Sequence, residues 1–205
     1  MRGPHRLLTP TSLAWAIYNR PRRPSRHEYA CMQEAASGCR MTPVQPWTGV
    51  VLAGGRSSRM GQDKAMLLWH GRPLLERMRD LLREAGAQQV LISGNRPEYA
   101  GITDIQPDLG PLGGLASVIA RVADATMLVV VPVDMPLLST AVLGKLLVPS
   151  QHRCVAFEGQ RLPMRLRIDI RVREALTTLM TGAASSRSLG ALQRSLRCQR
   201  VAFTA

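Results

Sequence analysis

Three short apolar runs, Gly49–Leu52, Gln89–Ser93 and Met127–Val131, each end in a loop rich in small or polar residues. The stretches between them carry helical periodicity, and this alternation constrains the fold more than any other feature. Apolar runs of four to six residues without alternation suit strands buried on both faces. Pro73 opens a helix in which Leu74, Leu75, Met78, Leu81, Leu82 and Ala85 share one face. Glu76, Arg77, Arg79 and Arg83 take the other, and Gly86 ends it. A short third strand is expected over Ile102–Gln106, with further helices over Gly113–Ala123 and 139–147. From residue 152 onward the chain reads as short strands around two helices near 170–180 and 185–197. Strand–helix–strand succession implies right-handed crossovers and an α/β fold with a mainly parallel sheet covered on both faces. Ligands of such sheets bind beyond the carboxyl ends of the strands. The loops after residues 52, 93, 106 and 131 should therefore line one site.

Residues 1–47 are of a different kind. Pro4, Pro10, Pro21, Pro24, Pro43 and Pro46 interrupt them, and RPRRPSR at 20–26 is basic and turn-prone. They are expected to form a disordered basic extension or to lie upstream of the true start, with 48–205 as the functional domain. The 205 residues are 45% hydrophobic and 20% charged, which argues against general disorder. No apolar run approaches the roughly 20 residues of a spanning helix, so no membrane partner is expected. Lys and Arg number 27 against 14 Asp and Glu, a net +13 that suits anionic ligands. Aromatics are only 4%, too few for base-stacking platforms, and no nucleic-acid partner is expected. Cys31, Cys39, Cys154 and Cys198 form no CxxC pair, so free thiols and a cytoplasmic location are expected.

The loops carry the chemistry. After the first strand comes LAGGRSSRMGQDK, residues 52–64. Ala53, Gly54 and Gly55 let backbone N–H groups approach phosphate oxygens, and Arg56, Arg59 and Lys64 add cations. A P-loop is excluded by spacing, because five residues separate Gly55 from Gly61 and Lys64 follows Gly61 by three. Lys64 is one of only two lysines in the chain. After the second strand, Asn95 suits either a turn or a hydrogen bond to base or ribose. PDLGPLGGL at 107–115 brings Asp108 into a tight turn, and Gly113–Gly114 opens a helix whose N-terminus can face an anion. VVVPVDMPLL at 129–138 places Asp134 between two prolines, either as a cap for the next turn or as a ligand for Mg²⁺. Magnesium commonly takes one or two carboxylates plus substrate phosphates. Asp134 with Asp108, opposite Lys64, favours a metal–nucleotide site.

LAGGRSSRMGQDKAML, the GPLGG turn and PVDMPLL together resemble the nucleotidyltransferases, most closely the molybdenum cofactor guanylyltransferases. The resemblance covers roughly residues 48–140 well and the remainder loosely. It implies a Rossmann-like three-layer α/β/α fold and transfer of GMP from GTP to the terminal phosphate of molybdenum-loaded molybdopterin, with release of pyrophosphate. By match, Leu52, Ala53 and Gly54 would meet base and ribose, Gly55 would be a further nucleotide contact, and Lys64 would hold the phosphates. Asn95 and Asp108 would contact the nucleotide, Asp134 would bind Mg²⁺, and Arg59 would join Lys64 and Asp134 in catalysis. The attacking phosphate is already an anion, so no general base is needed. A monomer or weak oligomer is expected, with molybdoenzyme apoproteins or their chaperones as partners. Two alternatives stay open: CTP or another phosphorylated acceptor at the same site, and a non-catalytic nucleotide-binding adaptor. LPMRLRIDIRV at 162–172 departs from the family's pterin-binding stretch; Arg165 and Arg167 could reach a pterin phosphate, but are expected to face solvent.

Overall fold

The computed structural model describes residues 45–54, 63–106 and 109–203, which fall in one compact unit, Val44–Ala205. Residues 1–44 of the expected extension, along with Gly55, Arg56, Arg59 and Asp108, lie outside the described residues, whereas Trp47, expected at its end, is buried and opens the first strand. Strand β1 (Trp47–Leu52) pairs in parallel with β4 (Gln89–Ser93) on one side and β5 (Met127–Pro132) on the other. The sheet continues through β7 (Met164–Arg167) and β6 (Cys154–Phe157) to β8 (Gln199–Val201), in the order β4-β1-β5-β7-β6-β8. Only β7 runs antiparallel to its neighbours.

Because successive strand residues point to opposite faces, each buried strand feeds two cores. Val51, Val129 and Val131 pack with helix α1 (Leu74–Glu84) and helix α3 (Thr140–Leu147). Val50, Leu52, Leu128 and Val130 pack against α2 (Gly110–Ile119), α4 (Ile170–Thr181) and α5 (Leu189–Ser195). The three expected layers are thus present, and α1 buries five of the six residues assigned to its apolar face. Its C-terminus closes at Gly86, whose φ of +97° is a left-handed conformation that glycine adopts readily. Ser139, Asp169 and Ser188 each cap a helix by accepting a backbone N–H.

Several expectations are corrected. Ile102–Gln106 is not a strand: Ile102 makes one isolated parallel bridge to Ser93, and the chain then turns away with Ile105 exposed. Helix α2 starts at Gly110, three residues before the expected start and with Pro111 in its first turn, and ends at Ile119. Gly113 and Gly114 are therefore interior to it. A Cβ on Gly114 would lie 2.3 Å from Ser93 Oγ, so this glycine lets the helix approach the end of β4. The last helix is only Leu189–Ser195, preceded by a separate 3-10 turn at Ala184–Ser186. Residues 68–73 form an unanticipated hairpin, β2 (Leu68–Trp69) with β3 (Arg72–Pro73), turning through His70 and Gly71 at positive φ.

Arg165 does not face solvent. It is 1% exposed on β7, and its guanidinium donates to the carbonyl of Val148, the C-cap of α3, at 2.7 Å. The C-terminal end of a helix favours a cation. Burial and the neighbouring Arg167 charge push its pKa below the ordinary value. Cys154 and Cys198 are free thiols with sulfurs 2.6 Å apart, Cys154 donating to Cys198.

Helix α1 lies so close to β1 that Gly49 is a steric requirement. A Cβ there would stand 2.9 Å from Leu82 Cδ1 and 3.0 Å from Leu82 Cβ, and Leu82 is fully buried. Gly49→Ala should destabilise the protein by about 1–3 kcal/mol through overpacking. Urea denaturation measures this, and an unchanged midpoint would mean that the helix can shift freely.

Candidate nucleotide site

The parallel register ends three strands at one level, with Leu52 opposite both Ser93 and Pro132. The loops that leave there meet around a cavity of about 360 Å³. Leu52, Ala53 and Gly54 form one wall, Asp63 and Lys64 a second, Gly110 and Pro111 a third, and Pro132 to Asp134 a fourth. Four of the sequence-derived residues that are described, Leu52, Ala53, Gly54 and Asp134, thus converge with a fifth, Lys64. Asn95 is exposed in the loop after β4 and is not part of the cavity lining. The helix N-terminus that meets the cavity is Gly110–Pro111, not Gly113–Gly114.

Backbone contacts fix the walls. Ala53 N–H donates to Ser93 O at 3.0 Å, and Val133 N–H to Leu52 O at 3.3 Å. Arg77 of α1 donates to Pro136 O at 2.6 Å and pins the loop after β5. Gly94, at φ +124°, leaves no room for a side chain: a Cβ would lie 2.8 Å from Gly54 N. A glycine at that position is what lets the Ala53–Gly54 turn sit against the end of β4. Gly94 precedes Asn95 in the loop after the second strand, but nothing in the sequence tells it apart from an ordinary turn glycine.

Lys64 and Asp134, seventy residues apart, meet across the cavity. The ammonium donates to Asp134 Oδ2 at 3.0 Å, and both side chains are 46% exposed. The Asp134 carboxylate accepts from Lys64 rather than capping the turn that follows, and the next helix is capped by Ser139. One carboxylate beside an anion-seeking cation is a donor set suited to a divalent ion shared with substrate phosphates. Among the described residues there is no group of three His, Cys, Asp or Glu side chains that would form a closed protein cage. A second, largely apolar cavity of about 380 Å³ adjoins the first. Leu137, Leu138, Phe157, Pro163 and Phe203 line it, and it shares Asp134 and Leu162 with its neighbour.

Sequence reasoning missed a second ion pair. Arg96, after β4, grips the Asp63 carboxylate with both terminal nitrogens, Nη2 reaching Oδ1 at 2.6 Å. The same nitrogen reaches Ala53 O at 3.4 Å. Asp63 also accepts Ala65 N–H at 3.1 Å and so caps the short 3-10 turn Lys64–Met66. The Arg96 hydrogen bond, aided by the Ala65 N–H and the Arg96 charge, outweighs partial burial and holds the Asp63 pKa below the ordinary carboxylate value.

The family model for the MobA-like NTP transferase domain matches residues 49–199. Over 165 residues the chain is 79% identical to a molybdenum cofactor guanylyltransferase of Xanthomonas euvesicatoria, covering 80% of this chain and 87% of that protein. Among solved structures, a molybdopterin-guanine dinucleotide biosynthesis protein A from Archaeoglobus fulgidus superposes with a TM-score of 0.58. It is 17% identical over 76% of this chain and 83% of that one. Rv0371c of Mycobacterium tuberculosis, solved as a complex with manganese, gives a TM-score of 0.56 at 20% identity, covering 78% and 89%. The two structural likenesses establish the three-layer α/β fold.

A carboxylate with a lowered folded-state pKa contributes stability that is full above its unfolded value, about 3.9, and is lost as pH falls through the folded value. Asp63→Asn retains a cap but removes the charge. It should cost no more than about 1 kcal/mol at pH 7, as for other exposed pairs. The difference from wild type should shrink below about pH 4. Urea denaturation between pH 7 and pH 3 reads this, and a difference that grows towards low pH would contradict the assignment.

Proposed function

This chain belongs to the MobA-like NTP transferase family, and from that premise we propose that it transfers GMP from GTP to the terminal phosphate of molybdenum-loaded molybdopterin. The phosphate oxygen of the acceptor forms a bond to the α-phosphorus of GTP as the bond to the leaving pyrophosphate breaks. The observation that carries the reading beyond kinship is the meeting of Lys64 and Asp134 in the cavity formed by the strand ends.

The reaction asks for placement and charge neutralisation more than for proton transfer. By family resemblance, base and ribose lie against the wall of Leu52, Ala53 and Gly54, and Lys64 offers its ammonium to the phosphates. Asp134 is the residue to hold Mg²⁺, which would neutralise charge on the α-phosphate and the leaving group. By family resemblance, Gly55, Arg59, Asn95 and Asp108 join them, Arg59 as a further cation and the others as nucleotide contacts. The acceptor's route is the adjoining apolar cavity, because it opens onto Asp134 and so brings an incoming phosphate to the reacting centre. The enzyme would work in the cytoplasm, handing its product to molybdoenzyme apoproteins or their chaperones.

Asp134→Ala and Lys64→Ala should each lower GTP-dependent pyrophosphate release by about 10²-fold or more. The measurement is pyrophosphate release with molybdopterin, Mg²⁺ and each of GTP, CTP and ATP. A preference for CTP would move the chain to the cytidylyl branch. GTP binding without turnover would favour the adaptor reading.

A further inference from the structure

We propose that Arg96 is a positioning residue of this site, tying the segment that carries Lys64 to the turn that leaves β1. This rests on the role given to Lys64 above. Three observations lead to it.

First, Arg96 is itself held rigidly. Gly94 N–H donates to Ile102 O at 2.8 Å, and Ile102 N–H returns to Ile92 O at 2.7 Å. The carbonyl of Arg96 accepts Gly101 N–H at 2.8 Å and Tyr99 N–H at 3.0 Å. Gly101 is packed so tightly that a Cβ there would lie 2.8 Å from Arg96 Cβ. The loop after β4 is therefore a closed frame from which the arginine projects, with its side chain only 19% exposed.

Second, the guanidinium spans two pieces of chain that the sequence separates by the glycine–arginine loop. It reaches Ala53 O on one side and both oxygens of Asp63 on the other. Ala53 is the start of that loop and Asp63 its end. A planar fork with several donors can satisfy this arrangement, whereas a lysine cannot.

Third, Asp63 passes the constraint on. Its Oδ1 caps Ala65 N–H, which fixes the backbone on both sides of Lys64 without engaging the ammonium. Lys64 bonds Asp134 through that ammonium, which would also reach the phosphates of a nucleotide in the cavity. Arg96 does not line the cavity, so its effect passes through Lys64 rather than through substrate. A displacement of about 1 Å at a reacting centre can cost about 10² in rate.

The test is a double-mutant cycle on pyrophosphate release from GTP, with Lys64→Ala as the second mutation. Arg96→Ala should lower kcat about 10–100-fold in the wild-type background. In the Lys64→Ala background it should lower kcat by less than about twofold, because the group it positions is gone. Arg96→Lys should not restore activity. Asp63→Asn, which leaves the Arg96 loop untouched, should show the same non-additivity with a smaller loss, and it serves if Arg96→Ala folds poorly. Equal losses in the two backgrounds, or a loss of less than about twofold in the wild-type one, would overturn the positioning role while leaving the site reading intact. Wild-type protein without turnover, or Lys64→Ala with full turnover, would overturn the site reading and the role of Arg96 with it.

Discussion

The site depends on one constraint, the parallel register in which Leu52 pairs with Ser93 on one side and Pro132 on the other. Backbone hydrogen bonds set that register. The two cores lock it, since a slip of one residue would move every apolar side chain of a strand to the opposite face. Three loops then leave the sheet together and have no choice but to meet. Gly54 and Gly94 complete the arrangement by letting two of them touch backbone to backbone. The register itself depends on no charged side chain.

Charges decorate that frame in a regular way. Lys64 faces Asp134 across the cavity, and Arg96, outside the cavity lining, faces Asp63. Exposed pairs of this kind contribute little to stability. Their value is geometric: each joins residues far apart in sequence, from loops that the strands have already brought close. The Arg96 pair, less exposed and using both terminal nitrogens, is the more constrained. The Lys64 pair is a single contact with half its surface in water, and it is easily exchanged for a ligand's phosphate.

The sheet, α1 and the loops around the cavity were legible because burial on both faces leaves an unmistakable run of aliphatic residues. Val129, Val130 and Val131 cannot be anything but an interior strand. Lys64 and Asp134 were legible because they stand in loops that such strands must bring together. What stayed hidden was set by contacts distant in sequence. Ile102–Gln106 looks like a strand but finds only Ser93 to pair with, because the chain must turn at once into α2. Gly113 and Gly114 read as a helix start, yet the close approach to Ser93 needs glycine inside the helix. Arg165 reads as a surface residue until the end of α3 is seen above it. Asp63 and Arg96 are ordinary loop residues until the fold puts them in contact.

The one antiparallel strand among the six described strands of the main sheet has a further meaning. β7 joins the parallel half of the sheet to the remaining strands through four residue pairs, from Met127↔Arg167 to Val130↔Met164. The cavity walls made by β1, β4 and β5 lie on one side of that seam. Leu162, Phe157 and Phe203 of the adjoining cavity come from the other. Because the seam is made by main-chain hydrogen bonds, its pairing does not depend on which side chains line the adjoining cavity. An exposed lining residue such as Phe203 shapes the second cavity without touching the strand ends that form the first.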